Sequence, residues 1–184
     1  MPLDYLVVGL NHRTAPLEVR ERLSLTKADL PEALRTMERF GVPGVILSTC
    51  NRSEFYVLEP VDSTGSPPPD GTGEARIKEF LVEQFNVSLP EIERYLYAHS
   101  GRQCIIHLFR VASGLDSMIL GEEQIIGQVR EAYDAGLKAG TIPGTPVKAV
   151  PAGAERRTQS TAGDGHQPQL PIGQPGLRGA GQGD

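Results

Sequence analysis

The sequence predicts an α+β fold built on one antiparallel sheet, and three features predict it. Short β-rich runs alternate with amphipathic stretches, polar turns separate them, and the large apolar residues stop well before the C-terminus. Tyr5 to Leu10 (YLVVGL) reads as a buried strand ended by the polar cluster Asn11-His12-Arg13-Thr14. Thr26 and Asp29 form an N-terminal capping pattern ahead of Leu30, Leu34 and Met37, which repeat at i, i+4, i+7 as one face of a helix. Val45 to Cys50 (VILSTC) and Glu54 to Glu59 (EFYVLE) are two strands joined through Asn51-Arg52-Ser53, which sets Cys50 at a strand end. Ile77, Phe80, Leu81 and Phe85 give a second helical stripe, and Tyr95 to His99 (YLYAH) a fourth strand. The resulting order, βαββαβ, is that of a ferredoxin-like antiparallel sheet with helices packed on one face. Two additional C-terminal helices follow. Arg102 to Ala112 is nearly all apolar and is expected to be largely buried, whereas Glu122 to Lys138 carries Ile125, Ile126, Val129, Tyr133 and Leu137 on a stripe that suits the sheet or a partner.

Composition divides the chain into an ordered part, 1–140, and a tail, 141–184. The last aromatic residue is Tyr133, and Gly144 to Asp184 holds nine Gly and five Pro. Such a segment buries too little surface to offset its chain entropy, so the tail is expected to be disordered. Thr64 to Gly73 (TGSPPPDGTG) reads as a surface loop. No apolar run approaches the roughly 18 residues of a membrane-spanning helix. Two cysteines are too few for a disulfide-stapled secreted scaffold and suit free thiols in the cytoplasm. The net charge of −5 argues against general electrostatic binding of nucleic acid, so any such contact is local.

Cys50 is the thiol of interest, because it sits beside a polar turn with Arg52 two residues on. A free thiol of pKa about 8.5 is only a few per cent ionised at neutral pH, and a cation or a base makes it a nucleophile. Spacing alone leaves nucleophile and structural cysteine both open. Cys104, inside the apolar run QCIIHLF, reads as a small buried hydrophobe. His107 lies in that run too, and a buried His needs a partner: either a backbone carbonyl bond in the core or a role as a base. Cys104 and His107 share a helix face, but no CxxC or HxxxH spacing completes a metal site, so no metal is expected. The polar set Ser113 to Ser117, then Gly121-Glu122-Glu123-Gln124 and Gln128, suits either helix capping or a pocket for a small polar molecule. Gly179-Ala180-Gly181-Gln182-Gly183 lacks the strand and helix that a dinucleotide loop needs.

Four collinear stretches, GLNHRTAP at 9–16, RERLS at 20–24, LSTCNRSE at 47–54 and HLFRVASGLDSMILGEEQIIGQV at 107–129, together resemble glutamyl-tRNA reductase over residues 3 to about 140. The resemblance implies a site. Its TCNR nucleophile falls on Cys50, which would attack the aminoacyl ester of glutamyl-tRNA and form a thioester that NADPH reduces to glutamate-1-semialdehyde, the first committed step of tetrapyrrole synthesis. Its active-site histidine falls on His107, which leaves His99 a neighbour, and its substrate contacts fall on Thr49, Asn51, Arg52, Ser117, Glu122, Glu123, Gln124 and Gln128. Arg52 would clasp the substrate carboxylate with a forked bond. The family commonly has Pro where this chain has Glu123. It also continues past about residue 140 into an NADPH-binding domain and a dimerisation domain, which this sequence does not show. A truncated or out-of-frame origin would account for the tail. A homodimer is implied for the family, and for this chain alone acylation and slow ester hydrolysis rather than reduction. The competing expectation is a non-catalytic module that binds tRNA or a partner, or an inactive gene product.

Overall fold

Strand β1 (Leu3–Asn11) is buried at every position from Leu6 to Asn11, which is why its sequence lacks the polar alternation of a strand with one wet face. It is flanked on both sides. In the computed structural model, which describes residues 3–62, 72–118 and 124–143, β1 pairs antiparallel with β3 (Arg52–Pro60) and with β4 (Tyr97–Ser100). Strand β2 (Gly44–Ser48) pairs antiparallel with β3, giving the order β2-β3-β1-β4. The β2–β3 connection is therefore a hairpin, while the paths from β1 to β2 and from β3 to β4 each skip one strand.

Helices cover both faces. Helix α1 (Leu17–Arg22) has no buried residue. Helix α2 (Leu30–Arg39) starts after Asp29, which makes no side-chain cap bond, so the N-cap is Asp29 rather than the Thr26 of the capping pattern; the Thr26 hydroxyl instead donates to the Asp29 carboxylate and accepts from the Asp29 amide at 3.4 Å. Thr72 caps α3 (Gly73–Phe85) with a side-chain bond from the Ala75 amide. After α4 (Leu89–Ile92) and a 3-10 turn at Glu93–Tyr95 come α5 (Gly101–Ala112) and α6 (Gln124–Ala139). Leu34 and Met37 of α2 and Ile77, Phe80 and Leu81 of α3 pack on Leu6, Val8, Leu10, Phe55 and Val57. Phe80 meets Phe55 edge-on at 5.5 Å, with Phe40 and Phe85 each 6.3 Å away. Such pairs add about 0.5–1.5 kcal/mol each beyond the area they bury. On the opposite face Leu47, Val111, Ile125 and Ala132 join β2 to α5 and α6.

Several expectations are corrected. The fourth strand starts at Tyr97 rather than Tyr95, because the 3-10 turn uses the residues before it. Gly73 is helical rather than part of the loop, of which residues 64–71 lie outside the described residues. Helix α5 is not largely buried: Cys104, His107 and Val111 face the sheet, while Ile105, Ile106 and the 70% exposed Phe109 face outward. A helix laid on a sheet hides only one stripe. On α6 the sheet takes Ile125, Ala132 and Gly136 and leaves Ile126 exposed. The described chain runs past residue 140: Thr141 is buried and its hydroxyl donates to the Gly44 carbonyl at 2.8 Å, tying the end of α6 to the start of β2. Residues 144–184 of the expected tail lie outside the described residues. No helix among the described residues is long and apolar enough to cross a membrane.

Candidate active site

Strand β2 stops at Ser48 and β3 starts at Arg52, so Cys50 occupies the hairpin turn rather than a strand end. Its thiol is free and the residue exposed. The turn is tightly held: the Thr49 amide donates to the Arg52 carbonyl at 2.8 Å, and the Thr49 hydroxyl accepts from the Asn51 and Arg52 amides, each at 3.2 Å. The His12 amide donates to the Asn51 carbonyl at 2.9 Å, and Arg20 Nη1 donates to the Cys50 carbonyl. Helix α1, which buries nothing, thus contributes a cation to the main chain of this turn.

The two-residue period of β3 points Arg52, Glu54 and Tyr56 to the face covered by α5, away from Phe55 and Val57. Glu54 is fully buried, and donors surround it. Arg52 Nη1 at 2.8 Å, the Tyr97 hydroxyl at 2.5 Å and His107 Nε2 at 2.9 Å all meet Oε1, and the Tyr56 hydroxyl meets Oε2 at 2.7 Å. Tyr97 reaches Glu54 from β4, across β1, because the β1 residue between them is Gly9. A Cβ there would lie 2.9 Å from Glu54 Cγ. His107 descends from α5 onto the same spot, its ring 5.3 Å from that of Tyr97 and 5.1 Å from that of His99, which itself stacks on Tyr97 at 5.4 Å. The turn of Cys50 and the ring of His107 are therefore joined through Arg52 and Glu54 Oε1.

Arg52 spends its second nitrogen on the Asp116 carbonyl at 2.7 Å. With 1% of its side chain exposed, its guanidinium is engaged within the protein rather than open for a forked grip on an incoming carboxylate. Gly114, with φ +71°, turns the chain back after α5 and so delivers Asp116. The Asp116 carboxylate takes Arg110 Nη2 at 2.9 Å, Arg110 Nε at 3.2 Å and Arg13 Nη1 at 3.1 Å, tying α5 to the loop after β1.

Charge states follow from these contacts. Burial opposes ionisation of Glu54, but the His107 bond, the Arg52 charge and the Tyr97 hydroxyl hold its carboxyl below the ordinary range. Burial, then the Glu54 charge, pushes Tyr56 and Tyr97 up, so both stay protonated donors. The Arg110 bond holds Asp116 down against partial burial, with the charges of Arg110 and Arg13 helping. Burial lowers His12, and Arg13, Arg52 and Arg20 lower it further. Burial and then the His107 charge lower His99. Cys104 is buried as a small hydrophobe, its thiol pushed up to about 12 by desolvation.

The remaining predicted residues do not all converge. Ser117 is buried beside Asp116, its amide bonded to the Gly114 carbonyl at 3.3 Å. Gln124 and Gln128 line a different place, a groove of about 790 Å³ between α2 and α6 with Lys27, Arg35 and Glu131. A shallower cleft of about 450 Å³ is lined by Asn11, Arg13, His99, His107 and Asp116. Glu122 and Glu123 lie outside the described residues. Among the described residues no group of three or more His, Cys, Asp or Glu is placed to hold a metal ion. Sequence reasoning misses Glu54, Tyr97 and Gly9 and treats His99 as a bystander. The available signal is a charged residue two positions after an arginine inside an apolar strand, and a glycine inside another.

Fold and site together define a mixed α/β domain that presents one exposed thiol on a hairpin turn, wired to a buried Arg–Glu–His network. The family described as glutamyl-tRNAGlu reductase, N-terminal domain, matches residues 8–153, and the chain belongs to it. It is 46% identical over 134 residues to the glutamyl-tRNA reductase of Syntrophotalea carbinolica, covering 72% of this chain and 28% of that protein. The corresponding protein of Heliobacterium mobile is 49% identical over 129 residues, covering 69% of this chain and 27% of its own length. The solved glutamyl-tRNA reductase of Methanopyrus kandleri superposes with a TM-score of 0.54 at 32% identity, covering 76% of this chain and 29% of that one. The chain thus spans less than a third of the length of these relatives.

Proposed function

We propose that this domain captures the glutamyl group of glutamyl-tRNA as a thioester on Cys50, the opening half of the glutamyl-tRNA reductase reaction that leads towards tetrapyrroles. The thiol of Cys50 loses its proton to a base, His107, and the sulfur attacks the ester carbonyl. The C–S bond forms, the C–O bond to the terminal ribose breaks, and the proton passes to the departing ribose oxygen. The observation that carries this reading is the combination of an exposed thiol on a turn whose main chain takes part in five hydrogen bonds with a histidine joined to that turn through Arg52 and Glu54. Thr49 and Asn51 shape the turn; Ser117, Glu122, Glu123, Gln124 and Gln128 remain our candidates for substrate contacts. Arg52 we assign to holding the network, since both of its bonded nitrogens are used inside the protein.

The strand order and antiparallel pairing also support the ferredoxin-like assignment. The family reaction uses NADPH, and the described residues do not fit that cofactor: all strand pairs among them are antiparallel, with no parallel strand–glycine loop–helix unit to cradle a dinucleotide. Cytoplasmic location and dimerisation belong to the whole enzyme in this proposal. Without the reductive half, the thioester hydrolyses and releases glutamate. Intact-mass analysis after brief mixing with glutamyl-tRNA and an acid quench tests the reading. A glutamyl adduct is expected on the unsubstituted chain and not on Cys50→Ala; folded, monomeric protein without an adduct would refute it.

A further inference from the structure

We propose that Glu54 is the positioning residue of this site: its buried carboxylate fixes the His107 imidazole with the proton on Nε2, so that Nδ1 presents the lone pair that receives the Cys50 proton. The inference rests on the thioester reading above and adds a residue and an atom to it.

An ionised carboxylate only accepts hydrogen bonds, so each of the four groups around Glu54 must bring a hydrogen. Arg52 does so always, and Tyr56 and Tyr97 do so because burial beside a negative charge keeps their hydroxyls protonated. The fourth is His107 Nε2, 2.9 Å from Oε1, and it must be an N–H. In a neutral imidazole the lone pair then belongs to Nδ1.

A counter-charge for Arg52 alone would not need this arrangement. Oε1 is shared among three donors, one of them a ring from a separate helix, and Gly9 is the clearance that lets Tyr97 join it from the far side of β1. Glu54 is held from both flanks and cannot swing away from the imidazole. When the thiol proton reaches Nδ1, the positive charge of the imidazolium faces the carboxylate through Nε2–H. When the proton leaves for the ribose oxygen, the ring returns to its starting tautomer. Orientation and charge stabilisation by a buried carboxylate are what a histidine base requires.

The test reads the tautomer directly. Nitrogen NMR of the intact chain, at a pH where the ring is neutral and with the His107 signals assigned by His107→Gln, is expected to show protonated Nε2 and bare Nδ1. A dominant Nδ1–H form in the unsubstituted chain overturns the proposal, whatever any variant does. In E54Q the tautomer preference is expected to disappear, and acylation of Cys50 to slow by between about 10²- and 10⁴-fold at unchanged KM, the range for losing a carboxylate that orients a histidine. E54Q buries the Arg52 charge without its partner and so risks unfolding; the measurement on the unsubstituted chain does not depend on it. A folded E54Q with an unchanged tautomer and rate overturns the proposal. Absence of any Cys50 adduct in the unsubstituted chain overturns the thioester reading instead, and is distinguishable because the tautomer is measured without substrate.

Discussion

Gly9 faces Glu54 on one side and Tyr97 on the other, so Gly9→Ala is a one-methyl probe of the floor beneath His107. An added Cβ would lie 2.6 Å from the Ser53 carbonyl oxygen and 2.9 Å from both Cα and Cγ of Glu54. Two of those atoms are backbone, so no rotamer change relieves the clash, and β3 must move away from β1. Overpacking of this kind costs about 1–3 kcal/mol. Gly9 does not have a positive φ, so Ala adds no backbone strain and, by restricting the unfolded chain, returns about 0.4–1 kcal/mol. The net loss is centred near about 1.3 kcal/mol, with extremes of about 0 and about 2.6, and at roughly 2–4 °C per kcal/mol the central value lowers Tm by about 3–5 °C. Gly127→Ala is the control: Gly127 lies within α6 with nothing within 4 Å of its would-be Cβ, and there Ala is worth about 0.5–1 kcal/mol in the opposite direction. Thermal melts followed by circular dichroism compare the two. If Gly9→Ala melts at or above the unsubstituted chain, or if Gly127→Ala falls with it, the steric account of Gly9 is wrong.

Two further outcomes follow from burial and charge. In the folded chain iodoacetamide at pH 8 is expected to modify Cys50 alone, with Cys104 protected by its burial and reacting only in denaturant; mass spectrometry showing equal rates at both would contradict the packing of α5. Stability is expected to fall in two steps as pH drops. His12 and His99 have folded pKa values below the ordinary histidine value of about 6.5, so the unfolded chain takes up protons first and stability declines below that pH. Asp116 and Glu54 are held below the ordinary carboxylate range; their contribution is complete above about pH 4–4.5 and is lost as pH falls through the folded values. Urea midpoints measured from pH 8 to 3 check both windows. Asp116→Asn should flatten the lower one and His12→Gln should shrink the upper, whereas a midpoint constant between pH 7 and 5 would contradict the histidine assignments.

Local pattern carries much of the fold into the sequence. The stripes of α2 and α3 and the apolar run of β1 are legible because they reflect periods of 3.6 and of continuous burial, which depend only on neighbours along the chain. Helix α1 is not, since six residues with no buried side chain leave no stripe to see. The start of β4 is hidden for a similar reason: Tyr95 and Leu96 are as strand-like as Tyr97, and the competing 3-10 turn is decided by what surrounds it.

The candidate site divides along the same line. The motifs around Cys50 and His107 mark both residues, and a resemblance carried by contiguous residues assigns them roles. Glu54, which bonds both His107 and the Arg52 that follows the Cys50 turn, shows in the sequence only as an acid in a strand. Its environment is assembled from β3, β4 and α5, with His107 53 positions and Tyr97 43 positions further along the chain than Glu54. Tertiary structure also buries Arg52 and bonds two of its nitrogens to Glu54 and the Asp116 carbonyl, and it places Gln124 and Gln128 on a groove other than the cleft that His107 lines. The residue types capable of chemistry, and the helices and strands that carry a continuous apolar pattern, are set by the sequence, because those properties are local. Which donors share an acceptor, and so which proton sits on which atom, was decided only when antiparallel pairing set Gly9 between Glu54 and Tyr97 and α5 was laid across them.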